Sequence, residues 1–264
     1  MKRISELHWP AALHDPSGAR SRKPRTAGRT MVIDKGLGLG AFEDLLQTSG
    51  EHIDIIKLGF GTACLYPLPT LLRKIALAGA FDIEIMPGGT FLEIAESRGE
   101  TERFLKTVAD IGFTGVEISE GTIDLGRLRR SELIREARAL GLNVYTEFGK
   151  KKWGSRIEAE ELAETIRIDL ACGASMVTVE GRESGTGVGV YDEAGACREE
   201  EIGRVLECVE DRSKIMWETP RKDQQVYFLK RLGPQANLGN IAPEDVLSLE
   251  ALRRGLRSDT FIPA

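Results

Sequence analysis

Histidine is scarce in this chain: 264 residues contain three, His8, His14 and His52, and two of them precede any regular pattern. A Ser-His-Asp triad or a His-rich zinc centre would have to rest on His52 or on the tail, so acid–base work falls to Lys, Glu, Asp or Tyr. No run of eighteen apolar residues occurs, which excludes a membrane-spanning helix. The first residues lack an apolar signal core, because Ile4, Leu7 and Trp9 are interrupted by charge and followed by Pro10. Cys64, Cys172, Cys197 and Cys208 show no CxxC spacing, so a zinc ribbon and a thioredoxin motif are excluded, and reduced thiols in a cytoplasm are expected. Positive charge is not in excess either: 36 Lys+Arg against 41 Asp+Glu leaves −5, which gives no support to a nucleic-acid surface.

What is present is an ordinary globular composition, 41% hydrophobic and 29% charged. Residues 1–29 read as an irregular basic arm; segment 17–29, SGARSRKPRTAGR, suggests a mobile arm or a loosely packed cover, not a domain. From residue 30 to 264, short apolar runs alternate with amphipathic stretches. The runs are 30–34, 53–58, 82–86, 115–119, 142–148, 175–180, 214–218 and 235–239, of strand length and mostly rich in β-branched or aromatic residues. Segment 127–140 places Leu133, Ala137 and Leu140 on one helical face, and 155–172 does the same with Leu162, Ile166 and Leu170. Ser155-x-x-Glu158 reads as a capping box, Gly141 and Gly173 as helix stops, and Pro243 as the start of the last helix. Eight strands and eight helices in βα order, roughly 29 residues per unit, predict an α/β fold with a parallel sheet, a single (β/α)₈ TIM barrel. An open doubly wound sheet is the alternative.

In such a barrel the site lies at the C-terminal ends of the strands. Those positions hold Asp34 and Lys35; Lys57; Pro87-Gly88-Gly89-Thr90; Glu117; Glu147 with Lys150 and Lys151; Glu180 with Arg182 and Glu183; Glu218 with Arg221; and Asn237 with Asn240. One strand-end glutamate would read as half of a structural ion pair. Glutamates at the ends of four consecutive strands, the fourth to the seventh, argue for a site. Oxygen donors without His or Cys point to Mg²⁺, with Asp34, Glu147, Glu180 and Glu218 as candidate ligands. A rim of Lys35, Lys57, Lys150, Lys151 and Arg182 suits a small, highly charged anion such as a phosphorylated or carboxylated metabolite, with Gly88, Gly89, Asn237 and Asn240 as further binding positions.

Two glycine-rich segments bear on this. GRESGTGVGV at 181–190 either cradles phosphate with Arg182 or acts as a mobile lid. Gly36-x-Gly38-x-x-Ala41 imitates a dinucleotide fingerprint, but Asp34-Lys35 sets charges where that motif has an apolar strand end. Cys64, after the second strand, reads as a packing thiol rather than a nucleophile.

DKGL at 34–37, KLGFGT at 57–62, PGGT at 87–90, EISEG at 117–121, TEFGKK at 146–151, EGRESG at 180–185, QQV at 224–226, NLGNIA at 237–242 and SLEALRRGLRSDTF at 248–261 resemble the phosphosulfolactate synthase family. The resemblance covers nearly all of 30–261 and leaves the arm outside. It implies a (β/α)₈ barrel that adds sulfite to phosphoenolpyruvate with Mg²⁺, a carbon–sulfur lyase of the coenzyme M type giving (2R)-phospho-3-sulfolactate. It places the proposed acid on Lys151 and the arginine of the EGRESG motif on Arg182. Glu147, at the end of the fifth strand, is a third catalytic candidate on position alone. ISEG, WETPRK and NLGN depart from the more usual ISDG, FEAPQK and NLAN, and none removes an ionisable strand-end group. The family also includes a heat-stress-associated plant branch. A non-catalytic stress-related or protein-binding barrel, or a different phosphoenolpyruvate lyase with a Schiff-base lysine, is therefore the alternative. The expected partners are small anions and further copies of the chain in a homo-oligomer, with no nucleic acid and no membrane. With Mg²⁺ and other ammonium groups nearby, Lys151 is expected to have a lowered pKa.

Overall fold

The computed structural model describes residues 9–261. Its strands are β1 (Thr30–Asp34), β2 (Ile55–Leu58), β3 (Glu84–Pro87), β4 (Gly115–Ile118), β5 (Asn143–Phe148), β6 (Met176–Val179), β7 (Ile215–Glu218) and β8 (Asn237–Ile241). A short helix, α1 (Ala11–His14), lies in the arm. The others are α2 (Leu39–Ser49), α3 (Leu68–Ala80), α4 (Gly89–Ser97), α5 (Thr101–Ile111), α6 (Arg127–Ala139), α7 (Ala159–Cys172), α8 (Glu199–Cys208), α9 (Lys222–Leu232) and α10 (Val246–Arg253). Each strand is followed by a helix, and β3 by two, which departs from the simple alternation expected. Among the described residues no helix is long and apolar enough to cross a membrane.

All strand pairs are parallel, in the order β3-β2-β1-β8-β7-β6-β5-β4. β1 sits between β2 and β8, as in a barrel. β3 and β4 lie side by side, and Thr114 bridges them: its backbone N–H donates to Ile85 O (3.1 Å), and its hydroxyl accepts from Ile85 N–H (2.8 Å). The fold is a nearly closed (β/α)₈ barrel.

Strand alternation sorts the side chains. Met31, Ile55, Met86, Tyr145, Met176 and Met216 point inward and form a buried layer across the barrel, using four of the chain's five methionines. Flexible thioethers fill the irregular space that a tapering barrel leaves. The intervening residues, such as Val32, Ile56, Val144 and Trp217, point outward against the helices and belong to the larger apolar core. Trp217 stacks on Phe228 of α9 with centroids 4.6 Å apart.

Residues 15–29 cross the N-terminal face of the barrel as a fitted plug, not as the mobile or loose cover expected. Arg20 Nε lies 2.9 Å from Glu250, Arg25 pairs with buried Asp54 at 3.1 Å, and Arg29 pairs with Glu84 at 2.5 Å. Lys23 donates to the carbonyls of Gly50 and Phe81. Asp54 and Glu84 stand at the starts of β2 and β3, so the strand beginnings carry the acidic partners of a basic arm.

Candidate active site

One pleat above the methionine layer, the same inward rows turn charged. Two residues after Ile55, Tyr145 and Met216 come Lys57, Glu147 and Glu218. They open into a cavity of about 310 Å³ at the C-terminal mouth, lined also by Gly88, Gly89, Thr90, Glu117, Lys151, Glu180, Arg182 and Asn240. Lys57 Nζ is 2.9 Å from Glu218, 3.1 Å from Glu117 and 3.9 Å from Glu147. Lys151 Nζ is 2.9 Å from Glu147, 3.4 Å from Glu93 and 3.7 Å from Glu180. Five buried carboxylates thus surround two ammonium groups.

That imbalance governs their protonation. Burial, aided by the neighbouring carboxylates, pushes Glu117 up to about 7 and Glu180 well above the usual carboxylate range. Burial acts the same way on Glu147, but it lies between both lysines, and their charges hold it down at about 2. Lys57 and Lys151 lose solvation, yet their carboxylate partners outweigh that and raise both above the ordinary lysine range. The lowered pKa expected for Lys151 is therefore reversed: its nearest charges are anions, not ammonium groups. Glu147, Glu180 and Glu218 each offer an oxygen within 4.8 Å of the others. Glu180 Oε2 is buried without a hydrogen-bond partner, 3.7 Å from Lys151 Nζ, and Glu147 Oε1 has only the Lys151 ammonium, 2.9 Å away. Hard, under-coordinated oxygens of this kind fit a divalent cation such as Mg²⁺.

A profile of the (2R)-phospho-3-sulfolactate synthase (ComA) family matches residues 18–259. Curated relatives named phosphosulfolactate synthase include one from Methanothermobacter thermautotrophicus, 42% identical over 92% of this chain and 94% of that protein. Another, from Bacillus subtilis, is 35% identical over 92% and 95%. The chain belongs to the phosphosulfolactate synthase family. It is therefore an enzyme, and the family match extends into the docked arm, which the motifs alone had left outside. In fold it is similar to 3-hexulose-6-phosphate synthase from Salmonella typhimurium (TM-score 0.52, 16% identity, 88% of this chain and 93% of that one). The YdjI aldolase from Escherichia coli is comparable (TM-score 0.55, 13% identity, 88% and 81%).

The family motifs do not all converge on the mouth. Asp34, expected as a metal ligand, points to the helix side of β1 because Met31 and Ile33 take the inward positions; its carboxylate accepts from Lys74 Nζ and from the N–H groups of Gly36 and Leu37. Asn237 starts β8 instead of ending it, so it lies at the opposite face, donating to Ser213 O and Ile215 O. Lys35 is half exposed on the rim, 3.5 Å from Glu183. Lys150 turns away from the cavity to Asp124 at 2.6 Å and to the carbonyls of Glu120 and Ile123. Cys64 lines an apolar groove beside α3 and α4.

Other expected residues do face the cavity. Gly88 allows the backbones to close up, since a Cβ there would lie 2.7 Å from Phe60 N and 2.9 Å from Leu58 O. Gly89 N–H donates to Glu117 at 2.7 Å. Asn240, at φ 53° beside the β1–β8 irregularity, keeps a buried Oδ1 without a partner. Arg182, at φ 59°, donates its N–H to Glu180 at 2.6 Å; among the described residues its guanidinium pairs with no carboxylate. The glycine-rich loop is pinned, not lid-like: Gln224 Nε2 donates to Gly185 O (2.7 Å) and Gly195 O (2.9 Å). Ser155 is no helix cap; its hydroxyl donates to Lys150 O. Glu93 and Lys74 carry no strand-end signal in the sequence, because both lie on helices.

Proposed function

We propose that this chain adds sulfite to phosphoenolpyruvate to form (2R)-phospho-3-sulfolactate, with Mg²⁺ held by Glu147, Glu180 and Glu218. The observation that carries the reading is the uncompensated charge of the mouth. Five buried carboxylates against two lysines are costly to a folded chain, and a merely structural or protein-binding barrel gains nothing from them. The substrates are anions that repel each other in water. Arg182, whose guanidinium pairs with no carboxylate among the described residues, suits the phosphate through its planar fork. Sulfite is already nucleophilic near neutral pH, which accounts for a site without histidine.

In the reaction a bond forms between sulfur and C3, while the C2–C3 π pair moves to C2 and into the substrate carboxylate. The Lys151 ammonium then gives a proton to C2 and is reprotonated by solvent; the phosphate ester stays intact. Glu93, Glu147 and Glu180 keep Lys151 charged and aimed until a centre as basic as that C2 stands beside it. Bound Mg²⁺ supplies positive charge to substrate oxygens. The test is spectrophotometric. Adding sulfite to enzyme, Mg²⁺ and phosphoenolpyruvate is expected to abolish the enol absorbance without releasing phosphate. Persistence of that absorbance, or release of inorganic phosphate, would overturn the assignment.

A further inference from the structure

Lys151 reaches the cavity along a route that two other residues define. Its main-chain N–H donates to Gly121 O at 3.1 Å, and its side chain then runs directly over the Gly121 Cα. A Cβ at Gly121 would lie 2.8 Å from both Cγ and Cδ of Lys151 and 2.9 Å from Cε. Gly121 does not have a positive φ, so its backbone would accept alanine; what excludes a side chain there is the lysine stem.

The loop carrying Gly121 is in turn fixed by Glu93 of α4, a carboxylate that is 1% exposed. Glu93 accepts from Gly121 N–H (3.1 Å) and Thr122 N–H (2.9 Å), and also from the hydroxyls of Ser119 and Thr122. Its Oε1 receives Lys151 Nζ at 3.4 Å as well. One buried carboxylate thereby holds both the surface on which the lysine stem lies and the ammonium at its end. Glu93 lies outside the trio of Glu147, Glu180 and Glu218.

We infer that Gly121 and Glu93 are positioning residues for Lys151, Gly121 by leaving a bare track for its stem and Glu93 by fixing that track and the ammonium together. The inference rests on the role given to Lys151 above. A misplacement on the order of 1 Å costs up to about 10²-fold in rate. The test is a double-mutant cycle on the full chain, with wild type, Gly121→Ala, Lys151→Ala and the double variant, read both by turnover and by thermal unfolding. Gly121→Ala is expected to lower kcat by about 10- to 100-fold with KM within about twofold. In the Lys151→Ala background the same change is expected to cost neither turnover nor Tm, because the atoms it strains are gone. Glu93→Gln, which keeps the volume, is expected to lower kcat with KM held, and to add no further loss in turnover once Lys151 is alanine. Equal losses in both backgrounds, or a loss expressed in KM, would overturn the inference. If wild type leaves phosphoenolpyruvate and sulfite unreacted, the proposed reaction fails, and the Tm cycle still decides the Gly121–Lys151 contact: non-additivity supports it and additivity removes it.

Discussion

Asp34 and Lys74 are paired 2.5 Å apart on the helix side of β1, and neither side chain has any exposed surface. Lys74 also donates to Leu37 O at 2.7 Å, and its ammonium lies 4.2 Å from the Tyr66 ring centroid. The pair ties α3 to the first βα loop and removes Asp34 from metal chemistry. Asp34→Asn leaves a buried ammonium without its anion. It is expected to cost about 3 kcal/mol or more, a fall in Tm of roughly 6–12 °C, with Mg²⁺ affinity unchanged. Weakened Mg²⁺ binding at near-normal Tm would return Asp34 to the metal.

Glu180 offers the complementary case, a strand-end carboxylate with a buried oxygen that accepts no hydrogen bond among the described residues. Mg²⁺ that binds only the folded state raises its Tm by linkage. The expected result is a Mg²⁺-dependent rise in wild type that Glu180→Gln largely loses, together with turnover abolished by EDTA and restored by Mg²⁺. An equal rise in both proteins would show that the cation sits elsewhere.

Arg182 is held in the left-handed region by the loop, and its guanidinium is open to the cavity. Lysine cannot form two parallel bonds to an oxyanion. Arg182→Lys is expected to raise KM for the phosphorylated substrate by about tenfold, equivalent to about 1.4 kcal/mol. Steady-state kinetics showing unchanged KM would remove Arg182 from substrate binding.

The arm makes a separate prediction about pH. Glu250 accepts from Arg20 and from Arg254 at 2.7 Å. Burial alone would raise its carboxyl, but Arg20, Arg254 and His52 hold it below the usual range. A depressed carboxyl stabilises the fold above its unfolded pKa, and that contribution is lost as pH falls through the folded value. Glu250→Gln is expected to lower Tm by several degrees at pH 7, and the gap to wild type is expected to close as pH drops below roughly 4. A gap independent of pH would contradict an electrostatic clamp.

Much of the mouth was legible in the sequence, because Glu117, Glu147 and Glu218 fall on the inward rows that Tyr145 and Met216 help define. Asp34 misled for the same reason: it also ends an apolar run, but one residue out of phase, so its side chain faces α3. Asn237 misled through a two-residue shift in β8, which moved it from the middle of the expected run, 235–239, to the start of the strand. The plug formed by Arg20, Arg25 and Arg29 was hidden because its partners Glu250, Asp54 and Glu84 are distant in sequence. Glu93 was hidden because nothing in a helical glutamate announces four donors from a loop some 30 residues away.

The most direct measurement is ³¹P NMR of the full chain with phosphoenolpyruvate, sulfite and Mg²⁺, run beside Lys151→Ala. The proposed reaction predicts that wild type replaces the enol phosphate resonance with that of a new, sulfite-dependent phosphate ester. The folded Lys151→Ala protein is predicted to do so roughly 10²- to 10⁴-fold more slowly, the usual worth of one general acid. An unchanged phosphoenolpyruvate resonance in wild type, or equal rates in the two proteins, would contradict it.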